Sequence, residues 1–287
     1  MKKMISNALD RLYPINPELT LKIVYRLRLG KKLNLKRPKL YNEKLQWIKL
    51  NVKDSNMPIC CDKFWVRGYV ESKGLGKLLI EQYWDGFNPD KIPYAALPKE
   101  IVIKTTHGST FNIIAPNKDE LKPSEVSKKL KKWLQEKYIP RYGEWFYGVK
   151  QPRIIVEELL KSEDGEQLKD YKVFCFNGVP RFIRIDMDRF GQQERAIFDT
   201  EWKKIENVVI SHRATSKEVE KPECLDELLE YARILSKEFL HARVDFYIIN
   251  NKIYFGEITF TPGAGYLKIE PESFELQMGE WLKLPID

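Results

Sequence analysis

Asn177-Gly178 sits between DYKVFCF and VPRFIRIDM. Both flanking runs are apolar and rich in aromatic and β-branched residues. Asn-Gly tolerates the left-handed backbone that a tight hairpin turn requires, so the pair predicts an antiparallel ribbon. RVDFYII and KIYFGEI flank Asn250 and Asn251 in the same way. The second half of the chain therefore reads as mainly antiparallel sheet.

Helices accompany these strands. KPECLDELLEYARILSKEFL has Pro222 near its start and an apolar stripe of Leu225, Leu228, Leu229, Ala232, Leu235 and Phe239. PSEVSKKLKKWLQEKY predicts another, with Ser124 as cap and Val126, Leu130, Leu134 and Tyr138 on one face. Residues 5 to 53 look helical, and DKFWVRGYVESKG continues that pattern with Asp62 as N-cap. KLLIEQYWDG, EIVIKTTHGS and RIIVEELL read as strands. The fold class is α+β.

The chain has 287 residues, and its composition is that of a globular protein. No apolar stretch approaches the roughly 20 residues of a membrane span. The N-terminal MKKMISNALDRLYP lacks the apolar run of a secretory signal, so a cytoplasmic chain is expected. Cys60, Cys61, Cys175 and Cys224 have neither zinc-ligand spacing nor the look of a disulfide framework, and read as reduced thiols.

The net charge is +8, unevenly spread. Residues 1 to 53 hold 14 Lys/Arg against 3 Asp/Glu, so the remainder is slightly acidic. Residues 19 to 40 carry basic residues and no acidic ones. They suit an anionic membrane surface, a nucleic acid or an acidic polymer, or form a solvated helix face. No nucleic-acid-binding signature accompanies them, which argues against nucleic acid.

One acid, Glu257, stands inside the apolar strand that ends in GEITFTPGAG. Its relation to Asp245 depends on the hairpin loop. A two-residue loop sets Asp245 opposite Gly256 and turns Glu257 to the other face. A three-residue loop, Asn250 to Lys252, sets Asp245 opposite Glu257 and Arg243 opposite Thr259. Two carboxylates side by side on an apolar sheet repel and are costly to bury, and a divalent cation removes both penalties. The expectation is a three-residue loop and a magnesium site at Asp245 and Glu257, with Arg243 available to phosphate.

In combination, RVDF, a hairpin and E-x-x-x-x-P-G resemble the closing motif of ATP-grasp enzymes such as the D-alanine–D-alanine ligases. Arg243, Asp245, Glu257, Pro262 and Gly263 fall in step with it. Thr259 stands where those ligases usually have a metal-binding Asn. NEKLQWIKL, HGS, DYKVFCFNG, RVDFY and GEITFTPGAG together resemble the TupA-like branch, named for teichuronopeptide biosynthesis, over roughly residues 40 to 284.

The resemblance implies an ATP-grasp fold, two α+β subdomains gripping ATP, with a helical N-terminal extension. It divides the chain into a basic helical region over 1–63, a lid subdomain with the phosphate loop over 64–160, and a catalytic subdomain over 161–287. Lys104 then serves the ATP phosphates, and His107, Gly108 and Ser109 form the phosphate loop. Glu157, Glu158 and Leu160 bind adenine through the backbone, with Asp164 a weaker candidate for ribose. Lys172 and Arg243 are catalytic, and Asp245, Glu257 and Thr259 hold Mg2+. The branch usually has two glycines where this chain has Thr110 and Phe111, so the loop is expected to be stiffer. Phe111 either caps a base or anchors the loop, and a loop aromatic more often packs on its own scaffold.

The implied reaction is ATP-dependent joining of a carboxylate to an amine through an acyl phosphate, with no protein nucleophile. His212 and His241 are accordingly read as structural or surface residues. In a polysaccharide setting the acid is a uronic acid or similar, on a small molecule, a sugar nucleotide or a polymer. Arg184, Asp186, Arg189 and Arg195 follow the Asn-Gly hairpin and face either the acceptor or, on the plainer reading, solvent as a salt-bridged surface. Contact of residues 19–40 with the inner face of the membrane is a further expectation. Three rival readings remain. They are a glycosyltransferase using Asp186-Met187-Asp188 as a DxD motif, an ATP-dependent kinase, and a non-catalytic binding protein of the same fold.

Overall fold

The computed structural model describes residues 2–108, 110–162, 168–187, 194–211 and 218–286. The chain begins with helices α1 (Lys2–Leu12), α2 (Pro17–Leu29), α3 (Tyr41–Asn51), α4 (Met57–Cys60) and α5 (Trp65–Ser72). Strands β1 (Gln82–Gly86), β2 (Ile101–Thr105) and β3 (Asn112–Ala115) follow, then α6 (Pro123–Leu134) and β4 (Ile154–Glu158). The second half runs β5 (Asp170–Phe176), β6 (Val179–Met187), β7 (Glu194–Asp199), β8 (Val209–Ile210) and α7 (Leu225–Ser236). It closes with β9 (His241–Ile249), β10 (Lys252–Thr259), β11 (Ile269–Glu270) and α8 (Glu272–Trp281).

These elements form two compact units, each discontinuous in sequence. One combines residues 1–54, 139–145 and 169–287, and the other 55–138 and 146–168. In the first, five antiparallel strands run in the order β10-β9-β5-β6-β7. Asn177 (φ 48°) and Gly178 (φ 77°) supply the left-handed turn between β5 and β6. Helix α7 packs on β5, β6 and β9 through its buried Leu228, Ala232 and Leu235. The other face is divided. At the Phe176 end it is aromatic: Phe174 stacks on Phe182 with centroids 4.4 Å apart, and Tyr41, Phe274 and Trp281 join that core from α3 and α8. At the Asp170 end the same face carries charges.

His241 lies inside this core, as the structural reading expects. Its Nδ1 is 2.7 Å from the Phe260 carbonyl and its Nε2 is 3.0 Å from the Tyr41 hydroxyl. Burial pushes its pKa down to about 4. The unfolded chain then binds a proton below the usual histidine pKa while the folded chain resists until about 4. Stability therefore falls as pH drops through that window, by on the order of 3 kcal/mol for this group. Urea unfolding at pH 7 and pH 4 is expected to show this loss, and His241→Gln to remove that part of it.

The second unit holds the antiparallel order β1-β4-β2-β3. Val126 and Leu130 of α6 pack on Ile101, Ile103, Ile154 and Val156. Helix α6 starts at Pro123, which needs no amide partner there, with Lys122 rather than Ser124 at the N-cap and no side-chain cap bond. It also ends at Leu134, before Tyr138. Asp62 does cap: its Oδ1 accepts from the amides of Phe64 and Trp65 at the start of α5. The helical reading of 5–53 breaks at residues 30–40, where Gly30 at φ 72° ends α2.

Candidate active site

The closing hairpin brings Asp245 opposite Glu257 and Arg243 opposite Thr259, but not by a three-residue loop. Ile249 pairs with Lys252, so the loop is Asn250-Asn251, at φ 50° and 59°. The register shifts later, between Phe255 and Glu257, at a bulge on Gly256. A Cβ at Gly256 would stand 3.0 Å from the Asp245 carbonyl oxygen. The extra residue returns Glu257 to the face of Asp245.

Arg243 binds this pair together. Its Nε donates to Asp245 Oδ1 at 2.7 Å and its Nη2 to Oδ2 at 2.6 Å, a bidentate contact. The same Nη2 lies 3.0 Å from Glu257 Oε1 and 3.0 Å from Thr259 Oγ1. Thr259 donates in turn to Glu257 Oε1 at 3.2 Å. From β5, Lys172 Nζ donates to Asp245 Oδ2 at 2.7 Å and to Asp170 Oδ2 at 2.6 Å. Burial alone would raise the Asp245 pKa, but the charges of Arg243 and Lys172 overcome it and hold the carboxyl at about 2. Burial alone would likewise depress Arg243, and the charge and hydrogen bonds of Asp245 raise it instead. Asp245 is buried, whereas the Glu257 side chain is 44% exposed.

Magnesium suits this donor set in one sense. Two carboxylates and a hydroxyl supply hard oxygen atoms on one face. The described residues contain no group of three or more His, Cys, Asp or Glu arranged to hold a metal. Two carboxylates fit an ion that shares its coordination with substrate phosphate, rather than a resident metal. Arg243 and Lys172 occupy the same oxygens, so they and a metal compete unless phosphate oxygens draw the cations away.

The second unit places the other predicted residues. Lys104 Nζ donates to Glu157 Oε2 at 2.6 Å across the β2–β4 ladder, and Arg67 stands 3.8 Å from Glu157 Oε1. The Glu157 carboxylate is thus held between Lys104 and Arg67. Glu158 pairs in register with Ile101, and its amide donates to the Glu81 carbonyl at 2.9 Å. Leu160 follows β4 and is half-buried. His107 Nε2 lies 3.1 Å from the Glu136 carbonyl, and burial lowers its pKa. Ser109, Asp164, Asp188, Arg189 and His212 lie outside the described residues.

Phe111 anchors the segment expected to be the phosphate loop. Its ring stacks on Trp133 at 5.3 Å with an interplanar angle of 13°, and lies so close to Gly108 that a Cβ there would be 2.0 Å from it. Thr110 adopts φ 68°. A β-branched residue is strained in that region, which glycine enters freely. Thr110→Gly is expected to relieve about 1 kcal/mol of strain, partly offset by the looser unfolded chain, read as a raised urea midpoint.

No residue of α3 is among the expected site residues. Asn42, Gln46 and Lys49 are fully buried on it and all reach the loop after β10. Asn42 donates to the Leu267 carbonyl and accepts from the Leu267 amide. Gln46 donates to the Gly265 carbonyl at 2.7 Å, and Lys49 to the Ala264 carbonyl at 2.8 Å. Gly263, Ala264 and Gly265 are left-handed, so their carbonyls need partners that no strand supplies. Burial pushes the Lys49 pKa down to about 7, against the opposing charge of Glu144. The spacing 42, 46, 49 was the available signal: three polar residues on one face of a helix beside Leu45 and Ile48.

A lysine strand with a glycine loop on one sheet, and an Arg-x-Asp strand paired to an acid on another, define an ATP-grasp protein, a class that binds ATP. More narrowly, the sequence model of the TupA-like ATP-grasp proteins matches residues 43–283, and the chain belongs to that family. No curated protein matches the chain. Among solved structures, D-alanine–D-alanine ligase from Bacillus anthracis is 16% identical, with a TM-score of 0.46 over 85% of this chain and 69% of its own. L-amino acid ligase from Bacillus licheniformis is 13% identical, with a TM-score of 0.49 over 92% of this chain and 56% of its own.

Proposed function

We propose that this chain is an ATP- and magnesium-dependent carboxylate–amine ligase. The observation that supports it most is the pairing of Asp245 with Glu257 under a shared Arg243. Bound magnesium would offset phosphate charge at those two acids. Arg243 offers a planar fork to phosphate oxygens, and Lys172 and Lys104 offer point charges. A carboxylate oxygen of the substrate attacks the γ-phosphorus and the bond to ADP breaks. The amine nitrogen then attacks the acyl carbon, phosphate leaves, and the nitrogen gives up a proton. Positioning and charge neutralisation suffice for the phosphoryl step, and no protein nucleophile is required.

The acid is proposed to be a uronic acid or similar carboxylate in surface-polysaccharide synthesis, handled in the cytoplasm. Basic residues 19–40 suit an anionic substrate or the inner membrane surface, although Lys22, Arg28 and Lys31 already contact Glu18, Tyr142 and Glu272. No helix among the described residues is long and apolar enough to cross a membrane. A glycosyltransferase DxD motif would need Asp188, which lies outside the described residues, while Asp186 is engaged by both Arg184 and Arg195.

The test supplies ATP, magnesium, uronic acids and amines, and measures ADP, phosphate and amide. ADP formed only when acid and amine are both present is the expected result. A phosphorylated acid made without amine points to a kinase. Glu257→Gln and Lys104→Ala are each expected to lower turnover at least about 100-fold while the protein stays folded. Wild-type turnover in either variant removes that residue from the site.

A further inference from the structure

Helix α2 is apolar on two sides. Leu21, Val24 and Tyr25 are buried and form its core side. Leu19, Ile23 and Leu27 follow the i, i+4, i+8 spacing that sets side chains in one row along a helix. That row lies outside the core: Leu19 is 44% and Leu27 63% exposed, with Ile23 partly exposed between them. Ile15, in the turn before the helix and four residues ahead of Leu19, is 80% exposed. A surface helix ordinarily turns polar residues outward. A single exposed leucine needs no explanation, whereas a contiguous row marks a surface that binds something.

Charge narrows the choice of partner. Lys22 and Arg26 each stand three residues beyond a member of the row, Leu19 and Ile23, and border it on one side. Glu18, the one acid of α2, is paired with Lys22. Arg26 gives its Nη1 to the Gly30 carbonyl at 2.6 Å, which leaves its charge uncompensated there. Lys32, Lys36 and Arg37 follow, all exposed, and no acid occurs in the sequence from residue 19 to residue 42. A second copy docked on this face would bring like charges together, which costs affinity. A soluble anionic polymer would satisfy the cations and leave the leucines in water. An anionic bilayer meets both needs, with headgroup phosphates for the cations and the acyl boundary for the apolar row. The outer side of a helix is convex, and a fluid interface takes it up without a matching groove.

We propose that the Leu19–Ile23–Leu27 row of α2, with Lys22 and Arg26 beside it, docks the protein on an anionic lipid surface. The helix then lies along the headgroup plane rather than across it. Helix α2 precedes residue 43, where the match to the family begins, so the docking face belongs to the part of this chain outside that match. The proposal does not depend on the ligase reading. It commits the basic residues 19–40 to one partner, which charge alone left open, and adds the apolar contact that such a partner requires.

Sedimentation of the full chain with lipid vesicles tests the docking. Vesicles of phosphatidylcholine and phosphatidylglycerol in equal parts are expected to bind the wild type, and vesicles of phosphatidylcholine alone are not. Arg26→Gln is expected to weaken binding about fivefold. Leu19→Gln combined with Leu27→Gln is expected to weaken it about tenfold or more. The urea midpoint of that double variant should stay at the wild-type value, because neither side chain is in the core. A wild type that ignores phosphatidylglycerol vesicles overturns the proposal. A double variant that binds them as the wild type does also overturns it, by reducing the contact to charge alone. Polyglutamate binding that the double variant loses assigns the face to an acidic chain and overturns the lipid assignment. Dimerisation without vesicles that the double variant abolishes assigns the face to a second copy instead. ATP turnover on soluble substrates is measured separately, so failure of the docking and failure of the ligase reading are distinguishable.

Discussion

Asp245→Asn is expected to destabilise the protein by about 3 kcal/mol and to abolish ATP turnover. The substitution removes the carboxylate shared by Arg243 and Lys172 while leaving both cations buried. Each keeps a second acid, Glu257 for Arg243 and Asp170 for Lys172. The expected loss therefore sits at the lower end for breaking a buried pair. The acid limb should change with it. The folded Asp245 pKa of about 2 lies below the ordinary carboxyl value. Its contribution is present above that ordinary value and is lost as pH falls through about 2. Denaturant unfolding between pH 5 and pH 2 should show a flatter decline in Asp245→Asn than in the wild type. An equally stable variant with an unchanged acid limb would show that the Arg243–Asp245–Lys172 contacts contribute no net stability.

Gly279→Ala is expected to be nearly as damaging, at about 3 kcal/mol, with no titratable group involved. Gly279 lies in α8, where a Cβ would meet the Lys39 carbonyl oxygen at 1.9 Å. The obstacle is backbone, and it immediately precedes α3. Relief requires α8 to move from α3, where Met278 and Leu282 share a core with Tyr41 and Leu45. The measurement is the shift in urea midpoint. A shift below a few tenths of a kcal/mol would mean that the α3–α8 contact yields freely. Because α3 also holds the loop after β10, weaker ATP turnover should accompany the lost stability.

Much of the fold was legible from local patterns. Asn177-Gly178 and Asn250-Asn251 marked two hairpins, because few residues accept left-handed turns. The stripe on α7 named the face that meets the sheet. The pairing of Asp245 with Glu257 was also anticipated, but for the wrong reason. Two loop lengths fitted the sequence, and the metal argument favoured the longer on the assumption that register is set at the loop. A bulge moves the register inside the strand, and Gly256 is its only local trace.

Other features had no local trace. The Arg184–Asp186–Arg195 group looked like a surface because charge predicts exposure on average, and burial depends on what covers a strand's face. The grouping of residues 1–54 with 169–287 is set by contacts between segments more than a hundred residues apart. The sequence alone determined which strands turn back on themselves, which helices have an apolar face and which residues carry charge, since propensity and periodicity act over a few neighbouring residues. The tertiary structure decided which charges are buried together, and the reason is physical. A carboxylate's partners and solvent are fixed by strands and helices that meet only when the chain is folded, and those partners hold Asp245 ionised inside the protein.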